Sequence, residues 1–177
     1  MADIKQMNLA LQGGGAHGAF TWGVLDRLLD EKNVEIEGIS GTSAGAVNAT
    51  LLAHGLMADG RRGAQKSLAE FWEKTSRAGS VWSPLPTLPK SLIPGGEMIA
   101  AATYTIFDTL TRTFSPYEFN PFNINPLRDL MADCVDFDAL RSHEAIKLFL
   151  SATNVRTGRV KVFDSREVSL DVVMASA

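Results

Sequence analysis

The sequence predicts an α/β domain of three layers, α/β/α, with a mainly parallel central sheet. Two short apolar runs, at residues 8–11 and 36–40, each stop at glycines, as buried strands commonly do. A segment with helical spacing of its apolar residues follows each run, at about 19–31 and 44–57. The order strand, glycine loop, helix, strand, turn, helix is typical of parallel strands joined by helical crossovers.

The rest of the chain continues this pattern. Residues 68–76 extend the second helix, and strands are predicted at 146–152 and 159–163, joined by a polar turn. Residues 170–177 begin a helix that shows neither a stop signal nor a polar tail. We therefore expect residues 1–177 to form one incomplete domain, the N-terminal part of a larger one.

The composition fits one globular domain and argues against some partners. Hydrophobic residues make up 45% and charged residues 21% of the chain. With 17 basic against 20 acidic side chains, the net charge is −3, so no nucleic-acid partner is expected. The densest basic spot, Arg61-Arg62, is interpreted as a solvated helix end.

The sequence also bears on location and redox chemistry. The single cysteine, Cys134, lies among acidic residues that disfavour a thiolate, so we interpret it as structural. We find no signal peptide, transmembrane helix or metal-binding pattern. These features predict a cytoplasmic protein, with peripheral association at membranes or lipid surfaces left open.

A glycine-rich loop follows the first predicted strand. Residues 13–18, Gly-Gly-Gly-Ala-His-Gly, match the pattern G-x-G-x-x-G of dinucleotide-binding proteins. That pattern also requires an acidic residue at the end of the second strand, whereas this strand ends at Ile39-Ser40-Gly41. A dinucleotide-dependent oxidoreductase is therefore the weaker alternative, and no cofactor is predicted.

A second glycine motif, Gly-Thr-Ser-Ala-Gly at residues 41–45, lies between the second strand and its helix. This is the context of a nucleophile elbow, in which small flanking residues allow a tight turn. We predict Ser43 as the nucleophile, at a helix N-terminus whose dipole favours developing negative charge. The remaining elbow residues are Gly41, Thr42, Ala44 and Gly45. Because parallel strands deliver their loops to one edge, we predict an oxyanion hole from the backbone of Gly13, Gly14 and Gly15.

A serine nucleophile needs a base, and none of the three histidines is suitably placed to be that base. His17 lies inside the glycine loop, where it would line the cleft and compete with the oxyanion site. His54 follows Ser43 by eleven residues on one helix, about 16 Å along the axis. His143 is expected to be an exposed residue at a helix start. A Ser-His-Asp triad is therefore not predicted.

The run Leu9-Ala10-Leu11-Gln12 before the glycine loop, together with the elbow, resembles the patatin-like phospholipase family. The resemblance implies an acyl hydrolase that cleaves lipid-like carboxylic esters through a Ser-Asp dyad, with Ser43 as the nucleophile. It also implies that Gly13–Gly15 shape the oxyanion hole. His17 stands where the family often has arginine or lysine.

The family's aspartate, in Asp-Gly-Gly or Asp-Gly-Ala, has no counterpart here. Asp59-Gly60 lies at the end of the nucleophile's own helix, too far from Ser43. Asp164 and Asp171 reach the proper sheet edge only if the strand assignment is shifted. We therefore expect the aspartate on a missing C-terminal portion, carried by a companion chain after cleavage. A truncated chain and a catalytically inactive lipid-binding or regulatory module remain open.

The stretch from residue 81 to 126 holds all seven prolines, which exclude a long regular element before residue 95. A helix is predicted at 97–110 and the next begins at 127. We interpret residues 81–126 as an insertion within the domain. Two interpretations stay open: a proline-stiffened structural loop, or a lid or wall of an acyl-binding cleft.

Overall fold

The computed structural model describes residues 4–82, 125–143 and 146–177. Contacts divide the chain into two units, Met1–Ser76 with Leu127–Ala177, and Arg77–Pro126. In the second unit, the structure describes a helical end at residues 77–82 and residues 125 and 126. Most of the predicted insertion, and the whole helix predicted within it, lie outside the described residues.

The first unit contains a four-stranded sheet in the order β1-β2-β3-β4. Strands β1 (Lys5–Leu11), β2 (Val34–Gly41) and β3 (Lys147–Thr153) are parallel. The short strand β4 (Val160–Phe163) runs antiparallel beside β3. This mainly parallel sheet confirms the predicted α/β class. Strands β1 and β2 end side by side at Leu11 and Gly41, so that the loops that follow them meet at one carboxyl edge.

Helices connect the strands in the predicted order. A single 3₁₀ turn leads into α1 (Gly18–Leu29), and α2 (Ala44–Trp82) begins directly after β2. Helices α3 (Pro126–Cys134) and α4 (Phe137–Ser142) precede β3, and α5 (Leu170–Ser176) follows β4. The strand–helix–strand–helix unit predicted for the first part of the chain is confirmed.

Helix α2 breaks at the dipeptide Asp59-Gly60, where the backbone leaves helical geometry and Gly60 has a φ of 53°. The two segments pack closely on either side of the break. A Cβ atom on Gly55 would lie 2.6 Å from the carbonyl oxygen of Gly63, nearer than side chains are tolerated. Glycine at positions 55 and 63 therefore lets the second segment of α2 fold back against the first.

Arg61 is not the solvated helix end that the sequence suggested. Its Nη1 donates to the carbonyl oxygens of Leu29 at 3.1 Å and Glu31 at 3.0 Å, and its Nη2 donates to Val34. These carbonyls belong to the end of α1, the turn that follows it and the start of β2. One guanidinium therefore joins three elements at the amino edge of the sheet.

The core lies on one face of the sheet. Ile39, Leu148 and Leu150 are buried there against the apolar side of α2, which includes Leu51 and Leu52. Side chains on the opposite face stay exposed among the described residues. They include Ala10, Ser40, Phe149 and Val162. The strands therefore alternate between buried and exposed positions, as a half-covered sheet requires.

Candidate active site

Ser43 lies in the turn between β2 and α2, at the carboxyl edge of the sheet. Its φ of 55° is a left-handed conformation that residues with a side chain rarely adopt. The turn is closed by the N–H of Gly45, which donates to the Thr42 carbonyl at 2.9 Å. Such a conformation costs about 1–3 kcal/mol and persists only where its surroundings fix it. The strained strand–turn–helix is the geometry of a nucleophile elbow.

The two elbow glycines are surrounded by backbone atoms. A Cβ atom on Gly41 would lie 2.6 Å from the carbonyl carbon of Gly45. A Cβ atom on Gly45 would lie 2.6 Å from the carbonyl carbon of Leu11 and 2.9 Å from the carbonyl oxygen of Gln12. Backbone cannot move aside as the end of a flexible side chain can. Glycine is therefore sterically required at both positions.

The glycine loop lies directly against Ser43. A Cβ atom on Gly13 would lie 2.9 Å from the Cβ of Ser43 and 3.6 Å from its Oγ. The N–H of Thr42 donates to the Leu11 carbonyl at 3.3 Å and joins the ends of the two strands that carry the loops. The structure thus brings together the two glycine motifs that the sequence predicts to lie at one edge of the sheet. The oxyanion hole of Gly13, Gly14 and Gly15 stays a prediction.

His17 closes the glycine loop. Its ring Nδ1 is 3.1 Å from the carbonyl oxygen of Gly14, and the backbone N–H of His17 donates to that same oxygen at 3.1 Å. A carbonyl oxygen can only accept, so Nδ1 carries a proton. The side chain therefore stabilises the turn that begins at Gly15.

Two hydroxyl contacts to the elbow were not found by sequence reasoning. The Oγ1 of Thr42 is 2.5 Å from the Oγ of Ser151, which continues β3 past the level of Gly41. The backbone N–H of Ser43 donates to the Oγ of Ser176 at 2.9 Å. Serines far along the chain carry no local pattern that would reveal these contacts. The elbow is therefore held by β3 and α5 as well as by its own turn.

A buried polar network supports the start of α1. The Nδ2 of Asn48 donates to the Gly18 carbonyl at 3.0 Å, and the Nε1 of Trp72 donates to the Oδ1 of Asn48 at 2.8 Å. Asn48 has no exposed surface. The sequence signal for this network is a single asparagine within an apolar helical segment. This network fixes the end of the glycine loop against both segments of α2.

The other two histidines, His54 and His143, lie in different surroundings from Ser43 and do not hydrogen-bond to it among the described residues. The Nε2 of His54 accepts from the N–H of Asp136 at 3.3 Å. Burial lowers the pKa of His54, and the charge of Asp136 opposes this shift. His143 is half-buried at the C-terminal cap of α4, so its predicted exposed position at a helix start was wrong. Asp136 is the residue that caps the start of this helix.

The three candidate aspartates also have positions that do not serve Ser43. Asp59 lies in the break of α2. Asp164 follows β4, and because β4 is antiparallel it lies toward the edge opposite the elbow. Asp171 pairs with Arg128 at 2.7 Å and is largely exposed. Within residues 4–82, 125–143 and 146–177, no carboxylate or imidazole hydrogen-bonds to Ser43.

Other chemistries find little support in the described part of the chain. Burial raises the pKa of the Cys134 thiol, with the nearby Lys74 charge opposing the shift, so the thiolate is disfavoured. No group of three or more potential metal ligands occurs among the described residues. None of the described helices combines the length and the apolar character needed to cross a bilayer.

Comparison with known proteins adds an independent finding. The sequence model of the patatin-like phospholipase family matches residues 9–177. No curated protein matches the chain. Among solved structures, the chain is similar to one from the heterodimeric ExoU–SpcU complex of the Pseudomonas aeruginosa type III secretion system. The two chains are 17% identical, with a TM-score of 0.38, and the match covers 99% of this chain and 36% of that one. The family match extends from β1 to the end of α5 and includes both glycine motifs. The chain therefore belongs to the patatin-like phospholipase family.

Proposed function

We propose that the chain provides the nucleophile of a serine acyl hydrolase that cleaves lipid-like carboxylic esters. One observation carries this proposal: Ser43 is held at a φ of 55° with Gly13 packed against it. A strained serine between a strand and a helix presents its Oγ outward, and a second glycine turn leaves room for a substrate carbonyl beside it. The family assignment supports an ester of a lipid as the substrate class.

The proposed reaction is a two-step acyl transfer. The Oγ of Ser43 attacks the ester carbonyl and loses its proton to a base, and the alcohol leaves with a proton. Water then attacks the acyl-enzyme, releases the carboxylic acid and restores the serine. The N–H of Ala44, the first residue of α2, has no intrahelical acceptor. With the backbone N–H groups of Gly13–Gly15, it is suited to stabilise the oxyanion.

The base is the part of this site that the described residues do not supply. We propose an aspartate carried by a C-terminal portion or companion chain, as the family's Ser-Asp dyad implies. An aspartate with an ordinary pKa near 3.9 is a weak base, so the completed site must raise it by burial. The proposed location is cytoplasmic, with peripheral association at lipid surfaces, and the proposed reaction needs no cofactor.

A fluorophosphonate probe tests the nucleophile directly. The purified protein, together with any chain that accompanies it, should be labelled covalently, and Ser43→Ala should abolish the label. Ester hydrolysis should fall by roughly 10³-fold or more in the same variant. Ser40→Ala is the matched control, because Ser40 is an exposed serine three residues earlier whose hydroxyl bonds to the Leu9 carbonyl. It should label like the wild type.

Other results would point to other functions. Binding to phospholipid vesicles without labelling or hydrolysis would identify a catalytically inactive lipid-binding module and overturn the hydrolase proposal. Thermal stabilisation by NAD would instead favour the dinucleotide interpretation of the glycine loop. Hydrolysis that appears only when a C-terminal portion is added would support an aspartate supplied from outside the described residues.

A further inference from the structure

The hydrogen bond between Ser43 and Ser176 joins the nucleophile to the far end of the chain. The backbone N–H of Ser43 donates to the Oγ of Ser176 at 2.9 Å, in a partly buried position. The two residues are 133 positions apart in sequence. Ser176 is the last residue of α5, and this helix packs beside β3 at the carboxyl edge.

Helix α5 is itself anchored, so Ser176 is held in place. The hydroxyl of Ser169 caps the helix by accepting from the N–H of Val172 at 3.3 Å. Val173 is fully buried in the core of the domain. Ser176 therefore reaches Ser43 from a fixed helix, and not from a loop that could adjust freely.

The position of this bond within the elbow is what gives it significance. The N–H of Gly45 donates to the Thr42 carbonyl at 2.9 Å and holds the carbonyl side of the Thr42–Ser43 peptide group from within the turn, while the N–H of Ala46 donates to the Ser43 carbonyl at 2.8 Å. On the N-terminal side, the bond from Thr42 to the Leu11 carbonyl is long, at 3.3 Å. The Ser43–Ser176 bond, at 2.9 Å, holds the N–H side of the Thr42–Ser43 peptide group, and it does so from an element distant in sequence. The orientation of that peptide group sets the unusual φ of Ser43.

We propose that Ser176 is a positioning residue that holds the backbone of Ser43 in its left-handed conformation. This proposal rests on the proposed function, since it concerns the aim of the Ser43 hydroxyl during acyl transfer. By accepting the N–H of Ser43, the Ser176 hydroxyl also keeps that donor from competing for the substrate carbonyl. The N–H groups suited to the oxyanion are then those of Ala44 and the glycine loop.

Three variants separate this role from simple support of the helix: Ser176→Ala, Ser176→Thr and Ser169→Ala. Alanine at 176 removes the acceptor, threonine keeps a hydroxyl, and alanine at 169 weakens the same helix without touching Ser43. In the full-length protein, Ser176→Ala should slow the maximal rate of fluorophosphonate labelling about tenfold, with little change in the concentration for half-maximal rate. Ser176→Thr should recover most of that rate. Ser169→Ala should lower the melting temperature and leave the labelling rate unchanged.

Amide hydrogen exchange at Ser43 reports on the bond whether or not the protein is an enzyme. Exchange should become faster in Ser176→Ala and stay slow in Ser169→Ala. If the wild type takes no label, the proposed function fails, and the exchange rates still decide whether Ser176 holds the Ser43 backbone. Unchanged exchange and labelling in Ser176→Ala would overturn the positioning role. An equal slowing of labelling in Ser169→Ala would overturn it as well.

Discussion

The two glycine turns at the carboxyl edge of the sheet face each other across Ser43, but they differ in how they are packed. In the elbow, Gly41 and Gly45 are enclosed by backbone atoms of the turn and of the preceding loop. In the glycine loop, a Cβ atom on Gly14 would meet only the Cβ of His17, at 3.4 Å, and one on Gly15 would meet nothing within 4 Å.

This difference shows that similar motifs can need glycine for different reasons. The elbow needs it because no side-chain atom fits, which is a requirement of the fold. The glycine loop has space for a side chain, and Gly15 is favoured there by its left-handed backbone. In the proposed oxyanion hole the loop must also leave its N–H groups accessible. Of the three glycines of this loop, only Gly13 combines a steric role with a place beside the proposed nucleophile Ser43. Substitutions should therefore separate stability from activity along this edge.

Gly45→Ala should have the largest effect on stability. Its Cβ atom would overlap the carbonyl group of Leu11, so β1 and α2 must move apart. We expect the free energy of unfolding to fall by about 3 kcal/mol and the melting temperature by roughly 6–12 °C. Chemical and thermal denaturation followed by circular dichroism measure both quantities.

Gly23→Ala in α1 is the matched control for that substitution, because its Cβ atom would meet nothing within 4 Å. Alanine favours helix over glycine, so this variant should be as stable as the wild type or more stable by up to about 1 kcal/mol. Equal stability losses in Gly45→Ala and Gly23→Ala would contradict the steric account of the elbow.

Gly13→Ala should affect activity more than stability. Its Cβ atom would lie 2.9 Å from the Cβ of Ser43, so Ser43 must shift by a few tenths of an ångström or more. Misplacement of a reacting group by about 1 Å can cost 10²-fold in rate, so we expect labelling to slow by roughly 10- to 100-fold. The loss of stability should stay near 1 kcal/mol. A variant that labels normally but unfolds like Gly45→Ala would place Gly13 with the elbow instead.

Much of the fold could be predicted because its signals are local. Glycines punctuate the ends of β1 and β2, and helical spacing follows each strand. The strands are nevertheless longer than the apolar runs, since exposed polar residues such as Gln6 and Glu35, which pair with each other, continue them on the open face of the sheet. The helix near His143 was misplaced because Asp136, which accepts from the N–H groups of Asp138 and Ala139, begins it earlier.

The site was only half predictable, for a physical reason. Ser43 and the glycine motifs are recognisable from spacing, whereas Ser176 and Ser151 matter only because distant elements meet at one edge. Arg61 was misjudged for the same reason, since its three acceptors come together only in the folded chain. Long-range hydrogen bonds leave no periodic pattern, so a sequence shows the motif and not the groups that hold it.

Gly15→Ala should have the smallest effect on the labelling rate, and it tests the glycine loop separately from the elbow. Gly15 has a φ of 56° with open space around it, so alanine adds backbone strain and no clash. We expect a stability loss of about 1–2 kcal/mol and a labelling rate within a few fold of the wild type. Gly15→Asn should lose less stability, because asparagine tolerates the left-handed region better than alanine does. The contradicting result would be a stability loss in Gly15→Asn as large as that in Gly15→Ala, with only a mild loss in Gly13→Ala by thermal denaturation. The loop would then be limited by space and not by backbone conformation, and its contrast with the elbow would disappear.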